Sequence, residues 1–316
     1  MSAHRWEKLG LLFGPDGSMP WARTHAQLPL VVPAPGDAGD RFHAYFASRD
    51  ADNRSHVGLV KIELGDHPRV LSVEREPLLK PGPVGTFDAD GVYPSSLVRA
   101  GSEDRLYYIG WMRGARGPLF VSAIGLATAP AGSQRFSRHS AAPIVDRGQH
   151  DPCLVTSPFV YADGDGWRMV YVSGVRWTEE AGELHSHYNL KIATSRDGIS
   201  WTRDGLTAID FKDAAETNIA RPCVVRTASG WQLWFCAASP PARYRMGYAE
   251  SSDGVTWRRC DELAGLDPSP DPAAFDSEMV AYPWIVRHRD TEFLFYNGNG
   301  FGRDGFAVAR RPATHG

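Results

Sequence analysis

The chain has 316 residues, 42% hydrophobic and 22% charged, with a formal net charge of −3. That length permits a large buried core, and the near-neutral balance gives no case for a nucleic-acid or anionic-membrane partner. No apolar run approaches the roughly 18 residues that span a bilayer, and residues 1–13 lack the apolar core and cleavage site of a signal peptide, so a cytoplasmic protein is expected.

A first strand is predicted over 6–13. The next four fall at 29–32, 41–47, 57–63 and 70–73, in short runs rich in Val, Tyr, Phe and Ile. The same set of four recurs at 93–99, 105–111, 120–128 and 135–140, then at 157–161, 167–173, 188–194 and 199–203, then at 222–226, 231–237, 244–250 and 255–259. A last set has only three strands, 281–288, 292–297 and 305–310. Each set opens on a proline, at 29, 94, 158, 222 and 283, spaced 65, 64, 64 and 61 residues apart. A fixed period of this size marks a repeat architecture. Proline is tolerated at the first residue of a strand, where no ladder bond is lost.

Turns punctuate the sets. Asp163-Gly164-Asp165-Gly166 and Ala228-Ser229-Gly230 read as hairpins. Ser195-Arg196-Asp197-Gly198-Ile199-Ser200-Trp201 is matched by Ser251-Ser252-Asp253-Gly254-Val255-Thr256-Trp257, where Asp-Gly turns the chain and Trp is expected to start the outer strand. Trp6-Glu7-Lys8 resembles Trp201-Thr202-Arg203 and Trp257-Arg258-Arg259. The N-terminal strand therefore supplies the outer strand that the last set lacks, which protects sheet edges. The expected fold is all-β. It is a single five-bladed β-propeller over 1–316 with four-stranded antiparallel blades at about 20–80, 88–145, 151–210, 216–265 and 276–312, the last closed by 5–13. The cysteines Cys153, Cys223, Cys236 and Cys260 follow no zinc or redox spacing and are expected as reduced thiols.

In such a ring the loops before the innermost strands share one mouth of the central channel, where rigidly held loops carry function. Their acids are Asp88, Asp90, Asp151, Glu216, Asp276 and Glu278. Converging carboxylates suit glycosidic cleavage, which needs one acid to protonate the leaving oxygen and another to activate water or attack the sugar. Asp88 or Asp90 is expected as base or nucleophile, and Glu216 or Glu278 as general acid. His25, Tyr93, Trp111, Arg113, Asp151, Arg221, Asp276 and Tyr282 are expected to hold substrate, with Trp177 and Arg176 beside them. Ordinary readings compete: an Asx turn for Asp88 and Asp90, an ion pair of Glu216 with Arg221, and one of Glu278 with Arg113. No residue set is assigned to a metal or cofactor, and an ion in the channel stays open.

Five such units, with acids entering the inner strands, resemble the five-bladed propeller glycosidases: the arabinanase and xylosidase family 43, the invertase-like family 32 and the mannoside phosphorylase family 130. The resemblance covers the whole chain as architecture. In family 43 the base stands directly before a proline of the first blade, and that position here is Leu28. The invertase signatures Trp-Met-Asn-Asp-Pro-Asn, Arg-Asp-Pro and Glu-Cys do not occur, so no catalytic residue carries over position by position. What the resemblance implies is a carbohydrate-active enzyme that cleaves or transfers a glycosyl group on a small glycoside or sugar-derived metabolite. Phosphorolysis or transfer from an activated sugar is one alternative, with Arg23, His25, Arg113 and Arg221 receiving phosphate. A non-catalytic sugar-binding or scaffold propeller is the other.

Overall fold

Most of the predicted strands form in a computed structural model that describes residues 5–36, 39–117 and 119–313. Residues 1–4, part of the segment expected to lack a signal peptide, lie outside the described residues. Strand β1 (Glu7–Phe13) comes first. The first unit follows as β2 (Thr24–Pro33), β3 (Arg41–Arg49), β4 (Ser55–Glu63) and β5 (Arg69–Val73). The second is β6 (Gly91–Ala100), β7 (Glu103–Arg113), β8 (Phe120–Pro130) and β9 (Ser137–Arg138). The third is β10 (Leu154–Asp163), β11 (Gly166–Glu180), β12 (Glu183–Ser195) and β13 (Thr207–Ile209). The fourth is β14 (Asn218–Thr227), β15 (Gly230–Ala238), β16 (Arg245–Ser251) and β17 (Arg258–Arg259). The last is β18 (Ala281–His288), β19 (Thr291–Asn297) and β20 (Phe306–Pro312), with a four-residue helix α1 (Asn299–Gly302) between the final two.

Within each unit the strands pair antiparallel in chain order, and β1 pairs with β20 to make the last unit four-stranded. Single parallel bridges, Ser55↔Gly91 and Tyr188↔Asn218, join units one to two and three to four into eight-stranded sheets. A side chain at Gly91 would run into Ser55 Oγ and Trp111 Nε1, so glycine permits that crossing. No sheet closes on itself through hydrogen bonds among the described residues. The opening strands instead touch in a cycle, β2 to β6 to β10 to β14 to β18 and back to β2.

The N-terminal strand is anchored by packing as well as by pairing. Trp6 is buried edge-on to Trp234 at 5.5 Å, and its Nε1 donates to the Ala264 carbonyl at 3.0 Å. The Arg311 guanidinium lies over both indoles. Elsewhere in the core Tyr107, Tyr108, Tyr171, Phe235 and Tyr296 are completely enclosed. Among the described residues no helix is long and apolar enough to cross a membrane. The cysteines are unbridged, with Cys223, Cys236 and Cys260 buried and Cys153 partly exposed.

The outer strands differ from expectation. In the third unit 199–203 holds only the bridge of Thr202 to Thr194, and the outer strand is β13. The cause lies at Asp197, whose Oδ1 accepts from the amides of Ile199 and Ser200, both at 2.8 Å. Those amides are spent in an Asx turn and cannot join a ladder. Asp253 does the same to Val255 and Thr256, so β17 starts only at Arg258 and neither Trp201 nor Trp257 opens an outer strand. These backbone donors hold both carboxyls down at about 2.

Candidate functional site

Four of the loop acids turn back into their own units. Asp88 is 1% exposed; it accepts from the Tyr108 hydroxyl at 3.1 Å, Thr86 Oγ1 at 2.8 Å and Arg138 Nε at 2.8 Å. Asp151 accepts from the Tyr171 hydroxyl at 3.1 Å and Arg203 Nη1 at 2.6 Å, with Lys191 Nζ at 3.7 Å. Asp276 accepts from the Tyr296 hydroxyl at 3.0 Å and Lys8 Nζ at 2.7 Å. Glu216 takes both guanidinium nitrogens of Arg259, each at 2.7 Å. Here Phe235 stands where the second, third and last units have tyrosine, and Arg259 also lies over that ring at 5.1 Å. The pattern is one clamp repeated: a loop acid, a second-strand aromatic and a basic residue from the outer strand or the loop next to it. In the first unit Trp21 fills the place, donating to the Arg75 carbonyl at 2.7 Å. The structure thus does not bring Asp88, Asp151, Glu216 and Asp276 together at an open mouth. Glu216 pairs with Arg259 and not with Arg221.

Four of the residues directly before the repeat prolines share one unusual backbone conformation. Leu28, Ser157, Arg221 and Tyr282 all have left-handed backbones, with φ of 52°, 47°, 55° and 59°. Each sits where the first ladder of its unit skips register. Such a conformation is strained for a residue with a side chain and unusual before proline. A bulge re-aims the side chain it carries. Tyr93, before Pro94, keeps an ordinary backbone, and the shift there falls one residue later at Ser95.

Arg221 is the most enclosed of these. Its Nη1 donates to the Pro94 and Ser95 carbonyls at 3.2 Å and to Ser95 Oγ at 2.9 Å, and its Nη2 donates to the Pro29 carbonyl at 3.2 Å. The guanidinium lies 5.5 Å from the Trp284 ring centre. It ties the fourth unit to the first and second, and burial pulls its pKa down to about 10. This spends most of its donors on backbone, in contrast to the expected role of holding substrate.

Nearby stands a cluster of tyrosines. Tyr188 and Tyr244 share a short hydroxyl–hydroxyl hydrogen bond, and the Tyr244 ring is 5.9 Å from Tyr282 and 6.3 Å from Phe301. Tyr93 stacks on Trp111 at 6.4 Å, and the indole donates to Ser55 Oγ at 2.8 Å. Burial pushes the Tyr188, Tyr244 and Tyr282 hydroxyls above their ordinary range, so all stay protonated donors. His25, also left-handed with φ of 66°, is held at Thr24 Oγ1. Burial, then the charges of Arg49 and Arg303, lower its pKa to about 4.

Two of the expected acids keep access to solvent. Asp90 accepts from the Arg113 amide at 2.8 Å and pairs with Arg113 Nη1 at 3.0 Å, so Arg113 is the partner of Asp90 and not of Glu278. Glu278 is exposed, and its backbone is engaged with Asn299 and Arg245. Arg176 is exposed beside His187, and Trp177 packs on Phe120. Among the described residues no group of three or more His, Cys, Asp or Glu side chains is placed to hold a metal ion.

Tyr188, Tyr244, Arg49 and Phe301 were outside the expected site. The first two had a signal: each stands seven residues before the serine of a repeated turn, Ser195 or Ser251. Arg49 and Phe301 had none: Arg49 ends the second strand of the first unit, and Phe301 lies in the second-to-third-strand connection of the last, which the other units do not repeat.

No protein-family model matches the chain. It is 40% identical over 304 residues to "Uncharacterized protein Rv1502" and "Uncharacterized protein MT1551" of Mycobacterium tuberculosis, spanning 96% of this chain and 98% of theirs. The chain belongs to that family. Among solved structures it is similar to BT0996 in its RGII complex, with a TM-score of 0.71, 17% identity, and coverage of 98% and 93%. It is similar to a β-1,2-mannobiose phosphorylase from Listeria innocua, with a TM-score of 0.67, 12% identity, and coverage of 92% and 90%. A thermostable family-43 glycoside hydrolase gives 0.62, 15%, 92% and 90%. At these identities the likeness is one of fold, and it bears out the resemblance to propeller glycosidases of families 43, 32 and 130.

Proposed function

We propose that this chain is a five-bladed β-propeller with a carbohydrate-active site at the mouth where its inner strands begin. The carrying observation is the repeated left-handed residue before the proline at Leu28, Ser157, Arg221 and Tyr282. Strain kept at the same place in four units, beside a set of tyrosine hydroxyls, supports a binding role. Tyr93, Trp111 and Tyr282 are partly exposed aromatics, backed by the buried Tyr244, and they offer the combination that sugars bind through apolar faces and polar rims. The reaction is cleavage or transfer of a glycosyl group. Asp90 and Glu278 carry the acid and base roles, since they alone of the four expected catalytic carboxylates keep access to solvent. The four clamped acids hold the blades. Similarity to glycoside hydrolases and a mannobiose phosphorylase supports the substrate class.

The test is turnover on a panel of small aryl glycosides by wild type and single variants. Asp90→Asn and Glu278→Gln are expected to lose activity with unchanged melting temperature. Full activity in both would remove the proposed acids. Phosphorolysis or transfer from an activated sugar is the second reading, favoured by the arginines of the same rim, Arg49, Arg113 and Arg176. Turnover strictly dependent on phosphate or a nucleotide sugar would select it over hydrolysis.

A further inference from the structure

Many arginines of this chain are matched by acids. Arg54, Arg99, Arg138, Arg203, Arg259 and Arg311 each meet a carboxylate within 3.0 Å. Arg49 and Arg221 do not. Arg49 Nε donates to Gln27 Oε1 at 3.2 Å and its Nη1 to Asn53 Oδ1 at 2.8 Å, both neutral oxygens. Gln27 is buried and its other end donates to the Phe301 carbonyl at 2.8 Å, so the amide that orients Arg49 is itself fixed. Arg221 is 1% exposed, is hydrogen-bonded only to carbonyls and a hydroxyl, and leaves its buried Nε without a partner.

Tyr282 lies within electrostatic reach of both guanidiniums. Geometry ties them to the same cluster: Arg49 is held through Gln27 to Phe301, whose ring lies 6.3 Å from Tyr244, and Tyr244 lies 5.9 Å from Tyr282, while Arg221 precedes its repeat proline as Tyr282 does. The charged groups around His25, next to Arg49, are Arg303 and Asp304, which pair with each other at 3.5 Å. A buried cation without a counter-ion is costly, and the same low dielectric strengthens its attraction for any anion brought beside it. A neutral sugar would leave both charges unmatched.

We infer that the mouth takes a sugar carrying an oxyanion, a carboxylate or a phosphate monoester, with Arg49 making the charged hydrogen bond and Arg221 adding positive potential from the channel below. The inference rests on the mouth being a sugar site. It adds the substrate's charge, which the fold does not specify. Arg49 is suited to direct contact because its fork is oriented but not consumed, and a planar guanidinium matches both oxyanions.

The test is calorimetric binding of matched sugars to the full chain: neutral hexosides and pentosides, the corresponding uronates, the corresponding sugar phosphates, and inorganic phosphate alone. Anionic sugars are expected to bind more tightly than neutral ones. Uronates against sugar phosphates identifies which oxyanion is read. Arg49→Gln should weaken the anionic sugars about 10- to 100-fold and leave neutral ones unchanged. Arg49→Lys should recover part of the loss. Anionic binding to wild type should also weaken with added salt while neutral binding does not, a measurement independent of whether a variant folds. Equal affinity for neutral and anionic sugars overturns the inference and leaves the sugar-site reading standing. Binding of inorganic phosphate without preference for anionic sugars also overturns it, and assigns the arginines to a co-substrate. Absence of binding by any sugar overturns both.

Discussion

Replacing Asp88 with asparagine separates the role it has in the fold from the role its sequence position suggests. The carboxylate is buried, with Arg138 Nε at 2.8 Å and the Tyr108 hydroxyl at 3.1 Å. Removing one partner of a buried pair costs about 3–5 kcal/mol. Arg138 is 23% exposed and can recover water, and the new amide keeps one acceptor oxygen, so about 2–4 kcal/mol is the better figure. An unfolding entropy of about 2.1 cal/mol/K per residue over 316 residues gives about 0.66 kcal/mol/K. The melting temperature should then fall by about 3–6 °C. Differential scanning calorimetry with a turnover assay on the same samples measures both consequences. The expected result is that lower melting temperature with activity changed by no more than a few-fold. An unchanged melting temperature with activity lost would refute the clamp and return Asp88 to the chemistry.

Three further perturbations probe the ring. Arg221→Met leaves the carbonyls of Pro29, Pro94 and Ser95 without their donor, so stability should drop by about 3–5 kcal/mol in urea unfolding, and a drop below about 1 would show that the cross-channel tie contributes little. Deleting residues 5–13 removes Trp6, the Lys8 pair with Asp276 and the partner of β20; a loss on the order of 5 kcal/mol and concentration-dependent association on sedimentation are expected, and a monodisperse product melting like wild type would contradict the closure. His25 has its folded pKa lowered to about 4 from an ordinary 6.5, so between these values the unfolded chain binds the proton and the folded chain does not. Stability is therefore lost as pH falls through that window, and His25→Gln should flatten the decline in urea midpoint; an unchanged slope would show that His25 titrates normally.

The inner, second and third strands were legible because their apolar alternation is dictated by burial between units, and the repeat prolines mark where each begins. The outer strands were less so. Residues 199–203 alternate like a strand, but the Asp197 side chain competes successfully for the amides that a ladder would need. The acids show the other limit. Pattern places Asp88, Asp151 and Asp276 at the mouth of a ring and cannot say which way they point. The register that decides it was present in the chain all the same: the tyrosine that each contacts stands 20 residues later, at Tyr108, Tyr171 and Tyr296. The fourth unit breaks that register with Phe235 and compensates with a doubly bonded Arg259, a substitution that reads from sequence only once the clamp is known. Arg49, at the end of β3, and Phe301, in the β19–β20 connection, match nothing in the other units, so three-dimensional packing alone brings them to the tyrosine cluster.

The most direct measurement of the central claim is a crystal structure with a bound uronate or sugar phosphate. The ligand should lie against Tyr93, Tyr244 and Tyr282 with its oxyanion at Arg49, and Asp90 and Glu278 should flank the sugar while Asp88 and Glu216 stay clamped to Arg138 and Arg259. A sugar seated instead at the far end of the inner strands, in the cavity of about 450 Å³ between Val31, Phe42 and Trp284, would contradict the account.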